Sequence, residues 1–181
     1  MKYLLKVVFT LIAAALFTAA SAQNTGAYLK FDINGKTISI EDEDLAGYNN
    51  FIAGDKDKKT NNEHAFYVAA AANHSYKMDI MIHTPPHTNP VAGKLPYVPT
   101  TYKPGNPTPG VYIGLNKTMG DDFEFYGSKK GSVGYFEITK VADGWVEGKF
   151  EIKISDLFDD AKVLHLTNGT FRFEIGEEVQ Y

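Results

Sequence analysis

Three tyrosines interleaved with prolines are the residues of this sequence best suited to holding a ligand. Tyr97, Tyr102 and Tyr112 lie in or beside a proline-rich segment, residues 85–110, which contains all eight prolines of the chain. Flat aromatic rings on a stiff backbone can stack on a sugar ring or receive a protein at low entropic cost. The pattern has two interpretations. One is a binding stretch, and the other, which the pattern favours more, is that these rings cover a sheet edge or the core.

Carboxylates nearer the start of the chain are candidate metal ligands. Asp55 and Asp57 form an Asp-x-Asp pair after the acidic run at residues 41–44. Such oxygen ligands suit calcium, but the helix-flanked calcium loop has glycine at its sixth position, where Thr60 stands here. Three nearby lysines would also repel a cation. We expect a solvated loop, with Asp55 and Asp57 as the only metal candidates worth naming.

Histidine chemistry finds little support. His83 and His87 are separated by a segment containing two prolines, and in extended backbone four residues span about 12 Å, too far to share one ion. We expect solvated loop histidines here. His165 lies within a strand pattern and is interpreted as a structural residue. The sequence therefore predicts no cofactor.

Nucleophilic catalysis is not indicated either. The chain has no cysteine, and the segment at residues 127–131, Gly-Ser-Lys-Lys-Gly, has the wrong order for the Gly-x-Ser-x-Gly nucleophile elbow. A carboxylate pair for hydrolysis depends on separation in space, which the sequence does not give. An enzyme is thus not predicted, and a hydrolase stays as an alternative.

The first 22 residues have the pattern of a cleaved signal peptide. Two lysines precede an apolar stretch from Val7 to Ala20, and Ala20-Ser21-Ala22 supplies a cleavage site of small residues. The apolar stretch is shorter than the roughly 20 residues that span a bilayer. We expect an exported protein, periplasmic or extracellular, that begins at Gln23 and has no membrane span.

Bulk composition limits the partners and the number of domains. Residues 23–181 are long enough for one domain and too few for two independent ones. After removal of the leader, 16 basic residues face 22 acidic ones, and Arg172 is the single arginine. Nucleic acid is therefore a poor partner, because phosphate sites favour arginine and positive charge. The absence of cysteine means that stability must come from packing.

Two hairpins are the strongest structural predictions. Asn34-Gly35 between alternating apolar residues predicts a two-residue turn that places Phe31 opposite Ile38 and Leu29 opposite Ile40. For the segment 133–154, the apolar pattern favours a three-residue loop at residues 142–144, which places Phe136 opposite Phe150, Glu137 opposite Lys149 and Ile138 opposite Gly148.

Further strands complete an all-β fold. Residues 163–175 alternate, with a bulge, kink or turn predicted at residues 167–169. Weaker strands are predicted at 65–72, 77–83, 111–115 and 123–126. The alanine run leaves strand or helix open for residues 62–73, and residues 156–162 hint at a short helix. About eight strands with a long proline-rich loop predict an antiparallel β-sandwich or a small barrel-like sheet.

The segment 131–175 resembles the carboxy-terminal half of small secreted or lipoprotein β domains of unknown function from Bacteroidetes-type bacteria. The matching motifs are Gly-Ser-Val at 131–133, Glu-Ile-Thr-Lys at 137–140, Gly-Lys-Phe at 148–150 and Leu-Thr-Asn-Gly-Thr-Phe at 166–171. The Asn-Gly-Lys hairpin at 34–36 is similar too. The resemblance implies a β-sandwich or β-barrel domain and brings no activity with it. This chain departs from the family in lacking a lipid-attachment cysteine.

These observations favour an exported binding module. The expected partner is a glycan, a small apolar ligand or an envelope protein, held without covalent chemistry. The alternatives are a structural component of the cell envelope, for which exposed apolar patches would argue, and a hydrolase.

Overall fold

A computed structural model of the chain describes residues 26–41, 62–68, 76–85, 88–99, 107–119 and 122–175. These ranges contain ten β-strands and no helix, which confirms the predicted all-β fold. The strands are β1 (Tyr28–Ile33), β2 (Lys36–Glu41), β3 (Asn62–Val68), β4 (Tyr76–Thr84), β5 (Gly93–Leu95), β6 (Gly110–Met119), β7 (Asp122–Gly127), β8 (Gly134–Ala142), β9 (Trp145–Asp156) and β10 (Val163–Glu174).

The strands form one antiparallel sheet that divides at β9. The main path runs β2-β1-β10-β9-β7-β6-β4-β3, and β5 pairs with β8 beside it. One edge of β9 pairs with β10, whereas its other edge is shared: β8 pairs with residues 145–152 and β7 with residues 155–156. Because β2 and β3 lie at the two ends of the path, the described sheet is open and not closed into a barrel, in agreement with a sandwich-like fold.

The described strands share a hydrophobic core on the inner face of this sheet. It draws side chains from β1, β8, β9 and β10 and also from β4 and β6 on the other side of the division. Stacked phenylalanines occupy its centre, with the rings of Phe136 and Phe171 at 5.0 Å between centroids and Phe136 and Phe150 at 6.3 Å. These rings have no exposed surface, and such pairs add stability beyond the burial of apolar area.

Two glycines make room for this aromatic centre. A methyl group at Gly169 would lie 2.6 Å from three ring carbons of Phe150, and one at Gly148 would lie 2.5 Å from the carbonyl oxygen of Glu137 and against the ring of Phe171. Both distances are shorter than van der Waals contact. Neither position therefore has space for a side chain, which explains glycine within two central strands.

The first hairpin has the predicted geometry. Phe31 pairs with Ile38 and Leu29 pairs with Ile40, so their side chains face the core together. The two turn residues, Asn34 and Gly35, have φ of 51° and 73°. Positive φ at both central residues is the requirement of the tight turn that suits strand twist, and asparagine followed by glycine meets it best.

The second hairpin has the predicted register but not the predicted loop. Phe136 pairs with Phe150 and Ile138 with Gly148, as expected. However, Ala142 pairs with Trp145, so the turn contains two residues rather than three. The extra residue is Thr139, which forms a bulge in β8 between Ile138 and Lys140. The sequence analysis correctly predicted one extra residue in this hairpin but placed it in the loop instead of the strand. Core burial fixes the pairing of Phe136 with Phe150, and one extra residue in either place preserves that pairing.

A second bulge interrupts β10 where the sequence predicted a bulge, kink or turn. Its register with β9 shifts between Leu166 and Gly169, and Asn168 has φ of 51°. The Asn168 side chain donates a hydrogen bond to the Asp32 carboxylate at 2.7 Å, and the Thr37 hydroxyl donates to the same carboxylate at 2.5 Å. These hydrogen bonds, that of Asn168 first, lower the pKa of Asp32. Asp32 thereby joins the bulge to the first hairpin.

The short helix predicted at residues 156–162 is wrong. Asp156 is buried, and its carboxylate accepts hydrogen bonds from the backbone N–H groups of Phe158 and Asp159 at 2.8 and 3.0 Å. These contacts would also cap a helix, but no helical turn follows them here. The residues form a closed loop, in which the N–H of Asp156 donates to the carbonyl of Lys162.

Several sequence predictions fall outside the described residues. The sequence left strand or helix open for residues 62–73. Residues 62–68 form a strand, and residues 69–73 lie outside the described part of the chain. The signal peptide at 1–22 and its cleavage site also lie outside, so the leader stays a prediction. The proline-rich segment contains the short strand β5, which the sequence patterns did not predict.

Candidate functional site

A pocket of about 240 Å³ opens between the proline-rich segment and strands β4, β5 and β8. We call it the proline pocket. Its inner part consists of core side chains with at most 7% of their surface exposed, namely Ile82, Leu95 and Ile138. Its remaining wall and its rim are formed by Thr84, Pro85, Thr88, Asn89, Pro90, Val91 and Pro109.

A hydrogen-bonded turn shapes one wall of the proline pocket. The Thr84 hydroxyl donates to the carbonyl of Thr88 at 2.6 Å, and the Thr88 hydroxyl donates to the carbonyl of Pro85 at 2.7 Å. The Thr88 backbone N–H donates to the same Pro85 carbonyl at 3.2 Å. Both hydroxyl protons are thus directed into the turn, which leaves the wall with an apolar inner surface.

Buried polar contacts fasten the proline-rich segment to the sheet beyond the pocket. The Tyr97 hydroxyl shares its single proton between the carbonyls of Tyr135 and Glu151, whose oxygens lie at 2.7 and 3.0 Å. Val111 and residues 96–98 exchange two backbone hydrogen bonds in a parallel bridge. The segment is therefore held from both sides of the divided sheet, so the pocket exists before any ligand arrives.

Ser128 provides a further fastening at the same place. Its hydroxyl donates to the carbonyl of Val98 at 2.7 Å and accepts from the N–H of Ile113 at 3.1 Å, and the residue is 2% exposed. The hydroxyl thus connects the proline-rich segment to β6. Its role here is structural, which agrees with the absence of a nucleophile elbow.

The three tyrosines predicted to hold a ligand have different positions. Tyr97 and Tyr112 are each 5% exposed, so neither presents an open ring face, and Tyr102 lies outside the described residues. Burial is the main reason that the pKa of Tyr97 is raised. The Tyr112 ring lies over the paired glycines Gly114 and Gly127, where it fills the space of two absent side chains. In these positions the rings complete the sheet, which is the alternative reading of the pattern.

The metal candidates Asp55 and Asp57 lie outside the described residues, as does His87. The prediction of a solvated loop is wrong for His83, which is buried with 3% exposure because β4 continues to Thr84. No group of three or more possible metal-ligating side chains occurs in the described ranges. His165 is hydrogen-bonded to the Glu151 carboxylate at 2.8 Å on the outer face of the sheet, as its structural interpretation expects.

An exposed aromatic cluster lies on the outer face of β7, away from the hydrophobic core. Phe123 and Phe125 project from β7 with 59% and 38% exposure, and Phe158, from the loop after β9, is 86% exposed. Neighbouring ring centroids in this cluster are 6.4 and 6.5 Å apart. We call these three residues the phenylalanine cluster. Exposed aromatic groups in contact with one another are typical of interaction surfaces.

A charged triad occupies the inner side of the same strand. The Glu124 carboxylate accepts hydrogen bonds from Lys117 and Lys162, each at 3.0 Å, and from the Tyr126 hydroxyl at 2.9 Å. These partners, Lys117 first, lower the pKa of Glu124 to about 2. The triad ties β6, β7 and the loop after β9 together beside the phenylalanine cluster.

Sequence reasoning missed the pocket residues Val91, Leu95 and Ile138 as a group. Each belongs to a pattern that was interpreted as loop or core, and they come together through the unpredicted pairing of β5 with β8. The clustering of prolines was the available signal, since it marks the segment that forms the wall.

Comparison with protein-family models, curated proteins and solved structures finds no match to this chain. Within the described part of the chain, no helix has the length and apolar character needed to cross a membrane.

Proposed function

We propose that this protein binds a small apolar molecule in the proline pocket without covalent chemistry. The observation that carries the proposal is a pocket of about 240 Å³ whose inner wall consists of the buried apolar side chains Ile82, Leu95 and Ile138. A concave apolar pocket of fixed shape is the usual form of a small-ligand site. Among the expected partners, a small apolar ligand therefore fits better than a glycan, which needs polar groups and open ring faces.

A titration with naphthalene, followed by NMR of isotope-labelled methyl groups, tests this function. We expect saturable shifts at the methyl groups of Ile82, Leu95 and Ile138. The substitution Val91→Asp places a charge at the rim and should weaken binding at least tenfold, because the carboxylate would lose water when a ligand enters.

Val133→Asp is the matched control. Val133 is 67% exposed and Val91 is 66% exposed, but Val133 does not line the pocket. The control should bind naphthalene like the unchanged protein. Absence of saturable shifts at the three pocket residues, or equal weakening by both substitutions, would contradict the proposal.

The phenylalanine cluster supports a second candidate function, self-assembly as a structural component of the cell envelope. Three exposed rings, of which Phe125 contacts the other two, are a specific reason to consider it. We expect the protein to elute as an oligomer in size-exclusion chromatography with light scattering, and Phe158→Ser to shift it toward the monomer. Val133→Ser should leave the elution unchanged. A monomer at every concentration would remove self-assembly as the role of this surface.

Both functions assume the predicted export. The leader pattern supports it, and the mass of the protein recovered from the producing cells tests it. We expect a chain that begins at Gln23, and a recovered mass that still includes residues 1–22 would contradict cleavage.

A further inference from the structure

The walls of the proline pocket offer little to a charged group. Within the described part of the chain, ten residues line the pocket, and none of them is an Asp, Glu, Lys, Arg or His. Three of them, Pro85, Pro90 and Pro109, have no backbone N–H to donate. The hydroxyl protons of Thr84 and Thr88 are directed to backbone carbonyls within the wall. A buried ion must find hydrogen bonds and an opposite charge to replace its water; the described walls supply no charge, and Asn89 alone among these side chains offers a free polar group.

One side chain at the mouth differs from the rest. Asn89 is exposed and lines the rim, so its amide can meet a polar group that stays near the solvent. The inner end, formed by Ile82, Leu95 and Ile138, offers contacts with hydrocarbon alone. The pocket is therefore polar at one end at most, and any polar atom of a ligand belongs at that end.

The volume limits the size of the occupant. An apolar cavity of about 150 Å³ in another protein holds benzene, with six carbon atoms. By proportion, the 240 Å³ of the proline pocket corresponds to roughly ten non-hydrogen atoms. Sites for drug-sized ligands begin near 300 Å³, so this pocket falls below that class.

We infer that the ligand of the proline pocket is an uncharged, hydrocarbon-like molecule of about ten non-hydrogen atoms. It carries at most one polar group, which lies at the Asn89 rim. This inference rests on the proposed function and specifies its ligand class. The pocket excludes carboxylates and amines of the same size, because their charge would have no partner there.

A matched series of eight-carbon compounds tests the ligand class. Octan-1-ol, octanoate and octylammonium share one chain and differ in the charge of the end group. In methyl NMR titrations of the full chain at pH 7, we expect octan-1-ol to bind at the pocket methyl groups, as naphthalene does. Both charged compounds should bind at least tenfold more weakly, because the rim offers no opposite charge to replace the water that a charged end group loses there. Octanoate binding as tightly as octan-1-ol would overturn the inference.

A gain-of-charge variant separates electrostatic exclusion from poor shape. Val91→Lys places an ammonium group at the rim, and it should raise the affinity for octanoate at least tenfold relative to octan-1-ol. Val133→Lys, equally exposed and away from the pocket, should leave that ratio unchanged. An unchanged ratio in Val91→Lys would overturn the explanation by charge.

The outcomes for this inference and for the proposed function are distinct. If naphthalene and octan-1-ol bind while octanoate binds equally well, the pocket is a ligand site and the ligand class is wrong. If none of the compounds shifts the methyl groups of Ile82, Leu95 and Ile138, the proposed function itself fails, and the inference fails with it.

Discussion

The substitution Ser128→Ala should destabilise the fold strongly for a change of one atom. The Ser128 hydroxyl serves two buried backbone groups, the carbonyl of Val98 and the N–H of Ile113. Val98 and Ile113 are both 0% exposed, so water cannot replace the lost hydroxyl without opening the sheet. Each buried group left without its partner costs about 1–3 kcal/mol. The expected loss is about 2–4 kcal/mol, because part of the strain relaxes.

Thermal and urea unfolding measure this loss. For a chain of this size, 1 kcal/mol corresponds to roughly 2–4 °C in Tm, so Ser128→Ala should lower Tm by about 4–16 °C. Ser39→Ala is the matched control, since Ser39 is exposed on β2, and its effect should stay within about 0.5 kcal/mol. The same variant should also weaken naphthalene binding, because Ser128 fastens the segment that forms the pocket wall. A loss of stability below about 0.5 kcal/mol would refute the claim that this hydroxyl satisfies two buried groups.

Two further substitutions test the packing and the charged triad. Gly148→Ala should cost about 3 kcal/mol in urea unfolding, because the added methyl group meets the ring of Phe171 and an overfilled core is strained; a neutral effect would show that the aromatic centre can shift. Glu124→Gln should reduce Tm at pH 6, and the difference from the unchanged protein should shrink as the pH falls. The folded pKa of Glu124, about 2, lies below its ordinary value of 4.5, so its stabilising effect is complete above pH 4.5 and is lost toward pH 2. A difference in Tm that stays constant from pH 6 to pH 2 would contradict the role of the carboxylate charge.

Local patterns in the sequence were sufficient where burial and turn chemistry agreed. The hairpin at Asn34-Gly35 is correct to the residue because its apolar alternation and its turn type demand the same register. In the hairpin at Asp143-Gly144, the apolar alternation and the two-residue turn require registers that differ by one residue. Burial determined the register of Phe136 and Phe150, and the mismatch moved to a bulge at Thr139. A period-two pattern detects the extra residue without locating it.

Features that depend on contacts between distant segments were not predictable in the same way. β5 has three residues and a proline on its C-terminal side, so nothing local marks it as a strand; its pairing with β8 creates it. The loop at residues 156–162 was predicted to be a short helix. In the structure the Asp156 side chain binds a backbone N–H group of this loop, and that contact depends on its burial at the end of β9, which the local sequence pattern does not reveal. The proline pocket belongs to the same class, since its inner wall comes from three separate strands.

The proline-rich segment illustrates how one sequence pattern allows two interpretations. The sequence marked it as a rigid stretch with aromatic residues, and that description holds for Tyr97 and Tyr112. Their rings are buried, however. The Tyr97 hydroxyl contacts two strands and the Tyr112 ring covers two glycines, so both side chains pack within the sheet. The binding surface that we propose is formed instead by proline and aliphatic side chains of the same stretch, together with Ile82 and Ile138 from neighbouring strands.

The pairing of β1 with β10 sets an order for the assembly of the chain. Tyr28 pairs with Arg172, so the first described strand finds its partner in the last one. During synthesis, an N-terminal hairpin of two strands has only marginal stability alone. It must therefore wait until residues 163–174 have left the ribosome, while β8, β9 and β10 can join through short connections as they emerge. The edge of β1 that β10 covers therefore stays unpaired until nearly all of the described strands have been made.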